Sequence, residues 1–107
     1  MHNGREYAAP IGIPVAAALA GTVVRSGLIV GYGLTVELQH SRPRRRTLYA
    51  HLSGLAVKPG QLVCRGQQIG RVGSTGISTG SHLHFELRRP AASGWQAVDP
   101  SELLGHS

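Results

Sequence analysis

The chain is poor in cysteine, acidic residues, lysine and aromatics. Cys64 is the one cysteine in 107 residues, which excludes a disulfide framework and any zinc module built on paired cysteines. Tyr, Trp and Phe together make up 5% of the chain, too few for the stacking platform that single-stranded nucleic acid requires. No nucleic-acid partner is therefore expected. Five acidic residues stand against eleven basic ones, for a formal charge of +6, and Lys58 is the one lysine. An arginine excess of this kind favours phosphate- or carboxylate-bearing polymers without choosing among them. No apolar run reaches the roughly 18 residues of a membrane span, so no membrane crossing is expected in this chain. The apolar stretch from Val15 to Ala20 lacks the basic flank and cleavage site of a secretion signal.

What is abundant points to strands. The 15 glycines are about twice the average usage, and with six prolines they leave little room for long helices. The hydrophobic share of 41% against a charged share of 15% fits a packed domain rather than a disordered chain. The length fits one domain with one core. Short β segments are expected over residues 14–19, 22–26, 28–30, 34–39, 47–52, 57–63, 65–70 and 81–88. Leu34-Thr35-Val36-Glu37-Leu38 alternates as a half-buried strand does. Asp99 and Pro100 suit the N-cap and first position of a closing helical turn. The expected fold is all-β: a compact antiparallel sheet or sandwich with short hairpins, glycine-rich loops and little helix. A single domain is expected over 1–107, and Met1 standing directly before His2 suggests a piece of a longer exported protein.

The strongest chemical signal is Ser81-His82-Leu83-His84-Phe85-Glu86. On a strand, His82 and His84 share one face while Leu83 and Phe85 face the core. Two such imidazoles serve as two metal ligands, as one ligand and one acid/base group, or simply as half-exposed strand residues. His2 and Glu6 form a second cluster, and imidazole with carboxylate is a common zinc pair. His51 lies in a third segment, where Tyr49 is expected to share its strand face. His40 reads as a neighbour of the site or an edge residue, and His106 as part of a frayed terminus. Cys64 has no base beside it in sequence and reads as an inert thiol. Gly73–Gly80 lacks the G-K-[ST] ending of a phosphate-binding loop and serves to lead the chain into the His82–His84 strand. Trp95 is expected to pack at the C-terminal edge of the domain. Residues 57–70 also resemble the hairpins of lipoyl and biotinyl carriers, but Lys58 precedes Pro59 without the flanking residues a carrier lysine needs.

In order along the chain, these segments resemble the LytM/lysostaphin-type zinc metallopeptidases, which cleave peptide bonds of bacterial peptidoglycan. His2-Asn3-Gly4-Arg5-Glu6 resembles the family's H-x-G-x-D segment. Gly31-Tyr32-Gly33, Tyr49-Ala50-His51-Leu52, residues 57–70 and residues 73–86, ending in His82-Leu83-His84-Phe85-Glu86, resemble its further motifs. The resemblance implies zinc (Zn2+) held by His2, Glu6 and His84, with His51 and His82 as catalytic histidines. It implies an endopeptidase acting on peptidoglycan peptides, in the periplasm or at the cell wall, with an export signal outside this chain. One position departs from the pattern: Glu6 stands where the family has Asp. That leaves two readings, an active enzyme and a non-catalytic wall-binding or activating domain; the presence of His2, His51, His82 and His84 favours the first. The basic loop Arg42-Pro43-Arg44-Arg45-Arg46 is expected to border the cleft and to attract acidic groups of the wall.

Overall fold

The long strand Arg45–Leu55 (β5) organises the molecule, because three neighbours pair with it. The computed structural model describes residues 4–76 and 80–103. Within them the strands are Arg5–Ala8 (β1), Pro14–Ala16 (β2), Gly21–Ile29 (β3), Gly33–His40 (β4), β5, Leu62–Val63 (β6), Gln68–Val72 (β7), His82–Ala91 (β8) and Gly94–Val98 (β9). A 3-10 turn over Pro100–Leu103 follows. All pairings are antiparallel, in the order β1-β8-β5-β4-β3-β6, with β9 on β8 and β7 joining β5 to β2. The all-β expectation holds, and the closing turn forms with the Asp99 carboxylate accepting the Ser101 N–H at 2.9 Å.

One face of this sheet carries the core. Val36 and Leu38 of β4, Tyr49 and Leu52 of β5, Phe85 and Leu87 of β8, and Val15, Ile69 and Val72 of β2 and β7 pack into one cluster. Each such side chain contributes about 1.5–3 kcal/mol by leaving water. The opposite face of β4 is covered too. Thr35 and Glu37 are almost fully buried, so β4 is enclosed on both faces rather than half-buried. Its Glu37 lies beneath Arg25 of β3 and Arg88 of β8.

Several expected boundaries move. Residues 22–26 and 28–30 belong largely to one strand that runs through Gly27, and residues 57–63 shorten to the two-residue β6. The last expected strand ends at Arg88, with none over residues 89–94. Instead β8 continues to Ala91 and turns back as β9, with Pro90 paired to Trp95. A proline inside a strand removes a ladder donor and argues against a strand from sequence; here Pro90 lies beyond the last β5–β8 pair, Arg46–Arg88, and pairs with β9 alone.

β4 and β5 are also braced inside the core by a directional chain of hydrogen bonds. Ala18 N–H donates to Tyr49 Oη at 2.9 Å, and Tyr49 donates to Thr47 Oγ1 at 2.9 Å. Thr47 Oγ1 lies 2.7 Å from His40 Nε2, and His40 Nδ1 lies 2.8 Å from the Ala20 carbonyl. A carbonyl only accepts, so His40 carries its proton on Nδ1 and takes the Thr47 hydroxyl proton on Nε2. Burial holds His40 below the usual imidazole pKa, against the opposing effect of the Ala20 bond. His40 is therefore neither an edge residue nor a neighbour of the other histidines.

Candidate metal and catalytic centre

Register brings the polar residues of three strands to one place. On β8, His82 and His84 share the face opposite the core, as their spacing of two requires. β1 pairs with β8 so that Glu6 lies opposite His84 and Ala8 opposite His82. The Glu6 carboxylate consequently reaches both imidazoles: Oε1 is 2.6 Å from His82 Nε2, and Oε2 contacts His84 Nδ1. The extra methylene of Glu6 leaves the carboxylate within reach of both rings.

His51 arrives by a different device. β5 carries one more residue than β4 between the pairs Val36–Tyr49 and Leu34–Leu52, a β-bulge. Within it His51 adopts φ +60°. This overturns the expected shared face: Tyr49 points into the core beside Phe85, while His51 turns to the other side, its ring 5.5 Å from that of His82 and 5.8 Å from that of His84. The bulge is locked by its surroundings. His51 N–H donates to the Tyr32 carbonyl at 2.8 Å, and Nδ1 donates to the Thr75 carbonyl at 2.7 Å. With Nδ1 protonated by that bond, Nε2 is the basic nitrogen of the neutral ring.

The turns that hold His51 interlock through glycine. A Cβ on Gly33 (φ +74°) would lie 2.4 Å from the Thr75 carbonyl carbon, and one on Gly76 (φ +78°) would lie 2.5 Å from Gly33 N. Only residues without a side chain allow these two backbones to meet. Thr75 then bridges them, donating to the Leu52 carbonyl at 2.6 Å and accepting the Leu34 N–H at 3.1 Å.

Beneath His84 lies a buried carboxylate. Glu86 Oε2 is 2.8 Å from His84 Nε2 and accepts the Tyr32 hydroxyl at 2.7 Å, while Arg88 donates to Oε1 through Nε at 2.8 Å and Nη2 at 2.6 Å. Burial alone would raise the Glu86 pKa; the bonds from His84 and Tyr32 and the Arg88 charge outweigh it and hold the carboxyl below its usual range. His84 is raised, first by its bond to Glu86, then, against its burial, by Glu6. Tyr32 is raised by burial and by the Glu86 carboxylate. Sequence reasoning quoted Glu86, Tyr32 and Thr75 within motifs without assigning them work. For Glu86 the signal was present, since position 86 continues the face of 82 and 84.

Glu6, His51 and His82 each offer a ligand atom, all within 4.8 Å of one another. Carboxylate oxygen and imidazole nitrogen are the donors a catalytic zinc takes, and His84 Nδ1 adjoins the same carboxylate. Val30, Gly31, Tyr32, Glu6, His51 and His84 line a cleft of about 260 Å³ over this group. His2, expected as a ligand, and His106 lie outside the described residues. The basic loop does not border the cleft. It sits at the far end of β4 and β5 from His51, where the guanidinium carbons of Arg44 and Arg46 stand 5.1 and 4.5 Å from the centre of the Trp95 ring.

Residues 1–100 match the family model described as Peptidase family M23. The chain belongs to peptidase family M23. Membership implies a bound metal, which the carboxylate and imidazoles around Glu6 suit. A relative named DD-carboxypeptidase/endopeptidase Mpg, from Neisseria meningitidis serogroup B, is 48% identical over 88 residues, covering 82% of this chain and 20% of its own length. The peptidoglycan DD-endopeptidase ShyA of Vibrio cholerae is 48% identical over 86 residues, covering 80% of this chain and 20% of its own. Lysostaphin of Staphylococcus simulans is 40% identical over 105 residues, 97% of this chain and 21% of its own. This M23 chain thus spans about a fifth of the length of the curated relatives it matches. The solved catalytic domain of lysostaphin superposes with a TM-score of 0.88 at 39% identity, over 98% of this chain and 80% of that one.

Proposed function

We propose that the chain is a zinc-dependent endopeptidase domain that hydrolyses peptide cross-links of bacterial peptidoglycan, outside the cytoplasm in the periplasm or cell wall. The observation that carries this reading is the convergence of Glu6, His51, His82 and His84 on one sheet face of an M23 domain. The names of its relatives, peptidoglycan endopeptidases and lysostaphin, point to the same substrate class. Glu6 reaches both His82 and His84 despite its length, which supports an active centre over a non-catalytic wall-binding domain.

In this reading Glu6 and His84, together with His2, hold the metal, and His51 and His82 are catalytic. The chemistry supplied by bound zinc is Lewis-acid polarisation of the scissile carbonyl and a near-neutral pKa for water. His51, whose Nδ1–H is anchored to Thr75, presents Nε2 as the acceptor of the water proton. His82 delivers a proton to the departing amine or donates to the oxyanion. The turn at Val30–Tyr32 forms one wall of the cleft.

The test is digestion of purified peptidoglycans of differing cross-link chemistry by the zinc-loaded chain, with products identified by mass. Cleavage of a peptide cross-link that disappears in His51→Ala is expected. A zinc-loaded, folded chain that cuts none of the substrates would sink the proposal.

A further inference from the structure

The row His82, His84, Glu86, Arg88 continues along one face of β8, and its second half has no part in the reaction proposed above. Glu86 is fully enclosed. Its Oε1 takes both contacts from Arg88, which by itself would compensate the charge. Its Oε2 is directed elsewhere, to His84 Nε2 and the Tyr32 hydroxyl. We propose that Glu86, held in place by Tyr32 and Arg88, positions His84 so that Nδ1 alone is offered to the metal. By this means it sets the metal affinity of the centre. The inference rests on the reading of His84 as a ligand.

An ionised carboxylate only accepts, so the 2.8 Å contact puts a proton on Nε2, and without metal the Glu6 carboxylate holds a second proton on Nδ1. A metal held by Glu6 would take the place of the Nδ1 proton, while the Nε2 proton stays engaged with buried Glu86, so Nδ1 is the nitrogen left to offer its lone pair. Ligand histidines commonly use a carboxylate in this manner to fix tautomer and ring orientation. Glu86 stays anionic without drawing charge from the metal side. Arg88 Nη1 stands 3.4 Å from Glu37, and Glu37 stands 3.9 Å from Arg25 Nε, so charges alternate across β8, β4 and β3. Tyr32 adds a second connection: its hydroxyl fixes Glu86 while its carbonyl accepts the His51 N–H. One turn thereby holds both the carboxylate behind His84 and the backbone of His51.

The experiment uses the full chain and its Glu86→Gln and Tyr32→Phe variants, with three readouts. Zinc affinity is measured by competition with a chromophoric chelator. The tautomer of His84 is read in metal-free protein, at alkaline pH where the ring is neutral, from long-range imidazole proton–nitrogen spectra, and the metal-free fold is followed by melting. Glu86→Gln is expected to weaken zinc binding about 10–100-fold and to introduce Nδ1–H tautomer at His84. Tyr32→Phe, which leaves the Glu86–Arg88 pair intact, is expected to weaken binding several-fold in the same sense. A folded Glu86→Gln chain with zinc affinity within twofold of the unsubstituted protein and an unchanged His84 tautomer overturns the inference. Should Glu86→Gln not fold, unchanged affinity and tautomer in Tyr32→Phe overturn it instead. Failure of the unsubstituted chain to bind zinc counts against the metal reading, while the metal-free spectra still decide whether Glu86 orients His84.

Discussion

Replacing Thr75 by valine keeps the side-chain shape and removes one hydroxyl, and the structure says what that hydroxyl does. It donates to the Leu52 carbonyl at 2.6 Å and accepts the Leu34 N–H at 3.1 Å. Leu52 is fully buried and Leu34 partly so, so water cannot fully replace either bond. A buried polar group left without its partner costs about 1–3 kcal/mol; with Leu34 partly solvated, Thr75→Val should cost about 2–4 kcal/mol in total. For a domain of this size that is a fall in melting temperature of roughly 10–25 °C. The Thr75 carbonyl also holds His51 Nδ1 at 2.7 Å; valine keeps that carbonyl, but the segment carrying it loses its two side-chain anchors, so the ring is held less firmly. A displacement of about 1 Å costs on the order of 100-fold in turnover. Urea unfolding of the metal-free chain and hydrolysis rates of the zinc-loaded chain measure the two effects. Thr75→Ser retains the hydroxyl and should stay near the unsubstituted protein in both. A Thr75→Val chain within about 0.5 kcal/mol of the original, or a Ser variant as damaged as the Val variant, would refute the bridging role.

Acid should weaken the fold through His40. Its folded pKa is depressed by burial, so the unfolded chain binds more protons in the window below the ordinary value of about 6.5. Stability is therefore full above that pH and is lost as pH falls through the folded value; urea midpoints at several pH values should slope less in a folded His40→Asn chain. Thr47→Val leaves the Tyr49 hydroxyl and His40 Nε2 without their partner and should cost about 2–4 kcal/mol, again by urea unfolding. Chelation should lower the melting temperature of the zinc-loaded chain, since ligand at about 100 times its Kd adds about 2.7 kcal/mol; Glu6→Gln should shrink that gap, and an equal gap in both proteins would remove Glu6 from the ligand set. Among the described residues no carboxylate pairs with Arg42, Arg44, Arg45 or Arg46. Changing all four to serine should weaken low-salt sedimentation with isolated cell walls while leaving hydrolysis of a short soluble peptide unchanged; undiminished sedimentation would dismiss that surface.

Much of the centre was legible because strand periodicity is local. The spacing of His82 and His84 placed both on one face, and continuing it by two would have added Glu86. Pairing between Glu6 and His84 was not legible, since β1 and β8 are separated by most of the chain and their register depends on the whole sheet. The face of His51 was misread for a definite reason. Alternation predicts sides only while the ladder is regular, and one extra residue in β5 reverses them. β9 was hidden by Pro90, which a central strand would not tolerate and an edge pairing does.

By itself the sequence determined the class of the protein: an all-β domain, no cysteine framework, and residues of one metallopeptidase family in the right order. Composition and short-range spacing suffice for that because turns, strand faces and ligand types are properties of a few neighbouring residues. Only the tertiary structure decided which side His51 faces, that Glu6 meets two imidazoles, that Glu86 backs His84, and that the arginine loop lies away from the cleft. Those outcomes follow from register, a bulge and contacts between distant segments, energies that exist only once the sheet has closed.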